Sequence, residues 1–278
     1  MILLSIQFSV LLCTYKNDDP THLSEALDSI CAQTVLPDEL VIVKDGPLTE
    51  MLENVIADFA FPGELTIHSM EKHGSLGLAR AAGVNIAAYP WVALMDSDDI
   101  CRPYRFERQI SQILDNPALS IIGGQIAEFD TDITKTLHIR PAPIEHDDIL
   151  REAKKRNPFN AMTVMFRRDL ALQAGNFCFF PGFEDYDLWT RMINHGAKCA
   201  NCPQVLLDAR IGNGLYARRR GLGYVRSEWR MQNSLLRLGL INLFEFVRNV
   251  LVRVPLRLMP NRCVEWAYRR FARTAKGG

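Results

Sequence analysis

Trp91-Val92-Ala93-Leu94-Met95-Asp96-Ser97-Asp98-Asp99 is a short apolar run that breaks into three carboxylates within four positions. The run is too short for a typical helix and reads as a buried strand. Three carboxylates so close together repel one another, so a cation is expected to offset them. In extended backbone, residues two apart share a face, which would put Asp96 and Asp98 side by side. Hard carboxylate oxygens suit Mg2+ or Mn2+, ions that keep coordination positions open for substrate phosphates. The plainer alternative is a solvated turn after a strand.

Upstream the same pattern, strand then polar break, recurs. Residues 8–13 are apolar and end in the polar stretch 14–20. Thr21 reads as the cap of a helix with Leu23, Leu27, Ile30 and Cys31 on one face, broken at Pro37. Residues 40–43 are a second strand, ending at Lys44-Asp45-Gly46-Pro47. Helix is expected over 51–59 and 76–88, and strand over 65–68. This alternation predicts an α/β fold with a mainly parallel sheet flanked by helices on both faces. Ligands in such sheets bind at the carboxyl ends of the strands. Asp45 and the 96–99 cluster are therefore the first candidates.

Downstream, helix is expected over 105–116, a strand from Ile121, a loop or hairpin over 130–146, a strand over 163–166 and a helix over 185–194. Glu184-Asp185-Tyr186-Asp187 opens that last helix. Carboxylates are favourable at the positive end of a helix dipole. A general base must also come from somewhere distant in sequence, and this cluster is the best source for one.

The chain has 278 residues, 48% of them apolar and 23% charged. That excludes a disordered, collagen-like or bare membrane-bundle chain. Seven cysteines in no disulfide-like spacing point to a reducing compartment. The first residues, MILLSIQFSVLLC, lack a basic region and a small-residue cleavage site, so they read as strand and not as a signal peptide. Cys199-x-x-Cys202 near His195 lacks the second ligand pair of a structural zinc site, and its thiols are expected to be buried.

Zero net charge conceals an asymmetry. Residues 1–208 carry 17 Lys+Arg against 29 Asp+Glu, and residues 209–278 carry 15 against 3. The expected division is a catalytic domain over 1–208 and a basic amphipathic helical tail over 209–278. In the tail, Arg230, Arg237, Arg248, Arg253 and Arg257 interleave with apolar residues. Within 229–259 the longest uncharged stretch, 238–244, falls far short of the roughly 20 residues that span a bilayer. Such helices pack on the domain, lie on an anionic membrane surface, or do both with different faces. Nucleic acid is not an expected partner.

Taken in order, the motifs resemble the family 2 inverting glycosyltransferases with the GT-A fold. They are Val10-Leu11-Leu12-Cys13-Thr14-Tyr15, Ser29-Ile30-Cys31-Ala32-Gln33-Thr34 with the strand ending at Asp45-Gly46, Leu94-Met95-Asp96-Ser97-Asp98-Asp99, Asn157-Pro158-Phe159-Asn160, and Gly182-Phe183-Glu184-Asp185-Tyr186-Asp187-Leu188-Trp189. The resemblance covers about residues 8–208, and the basic tail looks like that of bacterial surface-polysaccharide members. It implies a nucleotide-sugar donor, a UDP-sugar above all, with Thr14 in the nucleotide-facing turn and Tyr15 and Asp45 on the base. Asp96 would lie near the ribose or sugar, and Arg80 near the diphosphate or sugar. Asp98 and Asp99 would reach Mn2+ or Mg2+, Asp185 would be the base, and Glu184 and Trp189 would lie on the acceptor side.

Lys44, Ala81 and Ala161 depart from residues common in the family. The glutamine-arginine-tryptophan signature of processive synthases is absent, which implies one sugar per encounter. The implied acceptor is a saccharide or lipid-linked saccharide, and the implied location is cytoplasmic, at the inner face of the membrane. Two rivals stand beside this reading: a non-catalytic sugar-nucleotide or polysaccharide-binding protein, and a nucleotidyltransferase. The second would carry a glycine- and basic-rich loop after its first strand, which Cys13-Thr14-Tyr15-Lys16-Asn17-Asp18-Asp19 is not.

Overall fold

A computed structural model describes residues 6–211 and 221–258. Four parallel strands open it: β1 (Phe8–Thr14), β2 (Glu39–Lys44), β3 (Glu64–Ser69) and β4 (Trp91–Asp96). Between them run α1 (Pro20–Cys31), α2 (Glu50–Asp58) and α3 (Leu76–Ile86). Then follow β5 (Ile100–Cys101), α4 (Arg105–Asp115), β6 (Leu119–Phe129), β7 (His138–Arg140), α5 (His146–Ala153), β8 (Met165–Arg167), α6 (Arg168–Gln173), α7 (Glu184–Asn194) and β9 (Lys198–Arg210). The sheet order is β3-β2-β1-β4-β8-β6-β9-β5, with β7 on β6.

The strands read as apolar runs because both sheet faces are covered. Val10 and Leu12 of β1 join Leu23, Leu27, Leu52 and Phe106 from α1, α2 and α4 on one face. Leu11 joins Ala79, Val84, Leu188 and Trp189 from α3 and α7 on the other. Each fully buried Val, Leu or Phe among them contributes on the order of 1.5–3 kcal/mol.

The α/β architecture matches expectation, with local differences. Asp19, not Thr21, caps α1: its carboxylate accepts the Thr21 N–H at 2.8 Å, and Pro20 starts the helix. A proline suits the first helical turn because its missing N–H would be unbonded there anyway. The helix ends at Cys31, well before Pro37. The sheet is mainly parallel, with β8 entering antiparallel between β4 and β6. Residues 161–163 are a turn of 3-10 helix, and the strand expected there begins at Met165. The long β9 was not foreseen. It holds Cys199 and Cys202 buried beside β6.

In the tail, α8 (Gly221–Arg237) and α9 (Leu243–Leu258) form a hairpin against α7. Phe180, Phe183, Tyr186, Met231, Leu235, Ile241 and Phe246 make a third apolar cluster there. Glu228 is fully buried and takes Arg253 at 2.9 Å and Arg257 at 3.1 Å. Those two arginines, read from the sequence as lipid-facing candidates, are therefore spent inside the hairpin. The expectations for residues 1–5, 212–220 and 259–278 lie outside the described residues.

Candidate active site

The register brings the candidates together. Cys13 pairs with Asp96 and Thr14 with Lys44, so the residues that follow β1, β2 and β4 emerge at one edge of the sheet. Asp18, which the sequence reading passed over, binds this edge. Its Oδ2 accepts from Thr14 Oγ1 at 3.0 Å, Tyr15 N at 3.1 Å and Ser97 Oγ at 2.7 Å. Thr14 is thus buried and turned to Asp18. Burial raises the Asp18 carboxyl despite those donors.

Asp45, also buried, organises the loop before α3. It accepts the Gly74 N–H at 2.7 Å, and His73 Nδ1 lies 2.9 Å from its other oxygen. The His73 ring stacks on Tyr15 with centroids 5.7 Å apart. Gly46, at φ +84°, makes room: a Cβ there would sit 2.6 Å from the His73 backbone nitrogen. His73 therefore belongs to the group of Tyr15 and Asp45. The only sequence signal was its place before the Ala-rich helix. Lys44, the departure beside Asp45, bonds Glu53 at 2.6 Å on α2.

Arg80 is buried on α3 and links two regions. Its Nη2 donates to Asp96 Oδ1 at 2.7 Å, and its Nη1 lies 3.8 Å from Glu184 Oε1. Glu184 and Asp185 start α7. Asp185 accepts from Asn157 Nδ2 and from the Tyr186 N–H, each at 2.7 Å. Burial and then the neighbouring Asp185 charge push Glu184 up to about 7, against the pull of Arg80.

The strand of the acidic motif ends at Asp96, and 97–98 turn. The expected shared face of Asp96 and Asp98 therefore does not continue in extended backbone. Asp98 is exposed at the turn, and desolvation, then the charges of Asp96 and Asp18, push its carboxyl up to about 6. Asp99 is placed elsewhere than expected. It is 2% exposed, accepts the Arg210 N–H at 2.9 Å, and keeps Oδ2 without a hydrogen bond. Burial raises its carboxyl well above the usual range. Trp189 is likewise no surface for an acceptor. It is fully buried among Phe159, Phe166 and Phe177.

The chemistry of this edge fits a divalent cation shared with a substrate. Asp18, Asp96 and Asp98 repel one another, and the guanidinium groups beside them are already engaged, Arg80 by Asp96 and Arg210 by Glu25 and the Asp98 carbonyl. Among the described residues, no three His, Cys, Asp or Glu side chains are grouped so as to hold a cation by themselves. Mg2+ and Mn2+ sites of one or two carboxylates completed by substrate phosphates have that character.

Sequence comparison gives the family. Residues 9–175 match the model of glycosyl transferase family 2, and the chain belongs to that family. It is 37% identical to an amylovoran biosynthesis glycosyltransferase of Erwinia amylovora, over 94% of this chain and 97% of that one. It is 33% identical to the UDP-Gal:alpha-D-GlcNAc-diphosphoundecaprenol beta-1,3-galactosyltransferase of Escherichia coli, over 96% and 97%. Solved structures share the GT-A fold at low identity. S. aureus TarS with UDP-GlcNAc superposes with a TM-score of 0.68 at 16% identity, over 88% of this chain and 72% of that one. A Pyrobaculum calidifontis mannosyltransferase with GDP-Man and Mn2+ gives 0.63 at 16%, over 95% and 75%.

Proposed function

We propose that this glycosyltransferase moves a single sugar, with inversion, from a UDP-sugar to a hydroxyl of a lipid-linked saccharide in surface-polysaccharide synthesis. The observation that carries this reading is Arg80. One buried guanidinium reaches both Asp96, at the edge with Tyr15 and Asp45, and Glu184, next to Asp185. Donor and acceptor groups are thereby held within one side chain of each other, as a direct transfer requires.

Tyr15 supports the uracil ring, and Asp45 accepts its N3–H. Two donors already sit at the Asp45 carboxylate, which has about four acceptor positions, so capacity remains. Asp98 is the residue to share a divalent ion with the donor diphosphate. Such an ion, when bound, neutralises charge on the leaving diphosphate. Asp185 takes the acceptor proton, oriented by Asn157 and the Tyr186 N–H. The E. coli relative's name, with its diphosphoundecaprenol-linked sugar, and the amylovoran relative support the acceptor class.

The test is a screen of labelled UDP-sugars against the parent, Asp98→Asn and Asp185→Asn. Asp98→Asn should abolish transfer in a folded protein, and excess EDTA should do the same to the parent. Asp185→Asn should lower kcat by roughly two to four orders of magnitude with UDP affinity unchanged. A larger kcat loss in Glu184→Gln would reverse the roles of the two carboxylates. Equal affinity for UDP, CDP and ADP would remove the Asp45 assignment.

A peripheral location on an anionic membrane leaflet belongs to the same proposal. Among the described residues, no helix is long and apolar enough to cross a membrane. Leu243, Phe244, Val247, Leu251 and Leu258 of α9 are nevertheless exposed. At 100° per residue they fall on one side of the helix.

A further inference from the structure

Arg230, Asn233, Ser234 and Arg237 fall at i, i+3, i+4 and i+7 on α8, one face of the helix. The buried residues of the helix, Glu228, Met231, Gln232 and Leu235, lie on its other side. The polar face lines an open cavity of about 520 Å3 between α8 and α7, together with Phe180, Asp187, Trp229 and Leu238.

The cavity's one carboxylate is already answered. Asp187 lies 2.8 Å from Arg191 and accepts from Ser234 Oγ at 3.2 Å. Arg230 is anchored through Nη1 to the Phe179 carbonyl at 3.0 Å and lies 4.2 Å over the Phe180 ring, which leaves its other N–H donors. Arg237 forms no ion pair with any described residue. The hollow therefore presents positive charge and, in Trp229, a half-exposed ring.

Its position relates it to the transfer site. Glu184 borders a smaller hollow of about 240 Å3, and Phe180 lines both. Asp187 is three residues along α7 from Glu184, about 4.5 Å of helix. A sugar whose hydroxyl lies at Glu184 and Asp185 would project its far side, where an anomeric diphosphate is attached, towards Arg230 and Arg237.

We propose that this cavity is the subsite for the diphosphate of the acceptor, with Arg237 and Arg230 as its anion-binding residues. The proposal rests on the acceptor reading above and adds where on the chain the acceptor's phosphates are held. Guanidinium groups suit it because their planar forks match phosphate oxygens in pairs. A lysine face would offer only point charges.

The experiment is calorimetry on the full chain in EDTA, which removes metal complexes of the probes, with UDP in excess to occupy the nucleotide slot. The probes are inorganic pyrophosphate, geranyl diphosphate and phosphatidylglycerol vesicles. Both diphosphates should bind, and Arg237→Gln should weaken both about tenfold, the worth of a charged hydrogen bond. Arg151→Gln, an exposed arginine on α5, should change neither. The proposal is overturned if neither diphosphate binds the parent, or if Arg151→Gln produces the same loss. It is also overturned if Arg237→Gln weakens only vesicle binding, which would make Arg237 a reader of membrane surface. UDP titration of each variant separately reports folding and the donor site. A failure there strikes the donor reading and leaves this subsite to be judged on the diphosphate data.

Discussion

Arg80 carries more of the site than any other side chain. It is 3% exposed and shared between Asp96 and Glu184. Removing one partner of a buried charge pair costs about 3–5 kcal/mol, because the remaining charge stays buried. Arg80→Met should therefore lower the thermal midpoint by several degrees and abolish transfer, both measurable on one preparation. Arg80→Lys should recover part of the stability and little of the activity, since an ammonium cannot reach two carboxylates as a fork does. Glu184 gives a second prediction, in pH. Its carboxyl is raised to about 7 by burial and by Asp185. Below the ordinary Glu range both the folded and the unfolded chain hold the proton, and Glu184→Gln should match the parent. As pH rises towards 7 the unfolded chain ionises freely and the folded one does so at a cost, so the parent loses stability relative to the variant. The gap should reach on the order of 3 kcal/mol above pH 7. Denaturant melts at pH 4.5, 6 and 8 decide it, and a gap that stays constant or shrinks with pH counts against the assignment.

Among the elements, α7 has the most neighbours with consequences. Its first turn holds Glu184 and Asp185, its middle packs Trp189 into the core, and its outer side takes the α8–α9 hairpin through Asp187 and Ser234. Gly77, at the start of α3, lets this region close up. A Cβ there would meet the Cys178 carbonyl and lie 3.0 Å from Glu184 Cβ. The hairpin is fastened by Glu228, whose two arginine partners come from the last turns of α9. Glu228→Ala should cost about 3–5 kcal/mol in equilibrium unfolding, since it removes the buried carboxylate that answers Arg253 and accepts from Gln232. Because α8 leans on α7, acceptor KM should rise in that variant while UDP affinity holds. Unchanged stability would show that the arginines find water instead.

At the scale of the whole molecule, the charge split becomes a division of labour in space. The acidic body supplies the carboxylates of the site, while the basic tail spends Arg253 and Arg257 internally and leaves an apolar side of α9 open. The full chain should float with phosphatidylglycerol-containing vesicles at low salt and be released at high salt, because the electrostatic part is screened. Phe244→Asp combined with Leu251→Asp should abolish flotation and leave UDP binding intact. A double variant that floats like the parent, or a parent that never floats, removes the membrane proposal.

The alternation of strands and helices, the acidic motif after β4 and the change of charge near residue 209 were all legible in the amino-acid order. Each is a local property: periodicity, turn chemistry and composition depend on neighbours along the chain. The parallel register then follows, and with it one edge bearing Tyr15, Asp45 and Asp96. What lay beyond local pattern was which carboxylates stay accessible. Asp98 and Asp99 are adjacent in sequence, yet one is exposed and the other sealed beneath the Arg210 backbone. Asp18 reaches Ser97 across 79 residues, and Asp45 meets Gly74 across 29. Trp189, one turn from Asp185, faces three phenylalanines from distant segments, and Glu228 draws in arginines the helical pattern leaves outside. These were settled only by tertiary packing, because desolvation and charge pairing act between groups that the chain brings together after it folds.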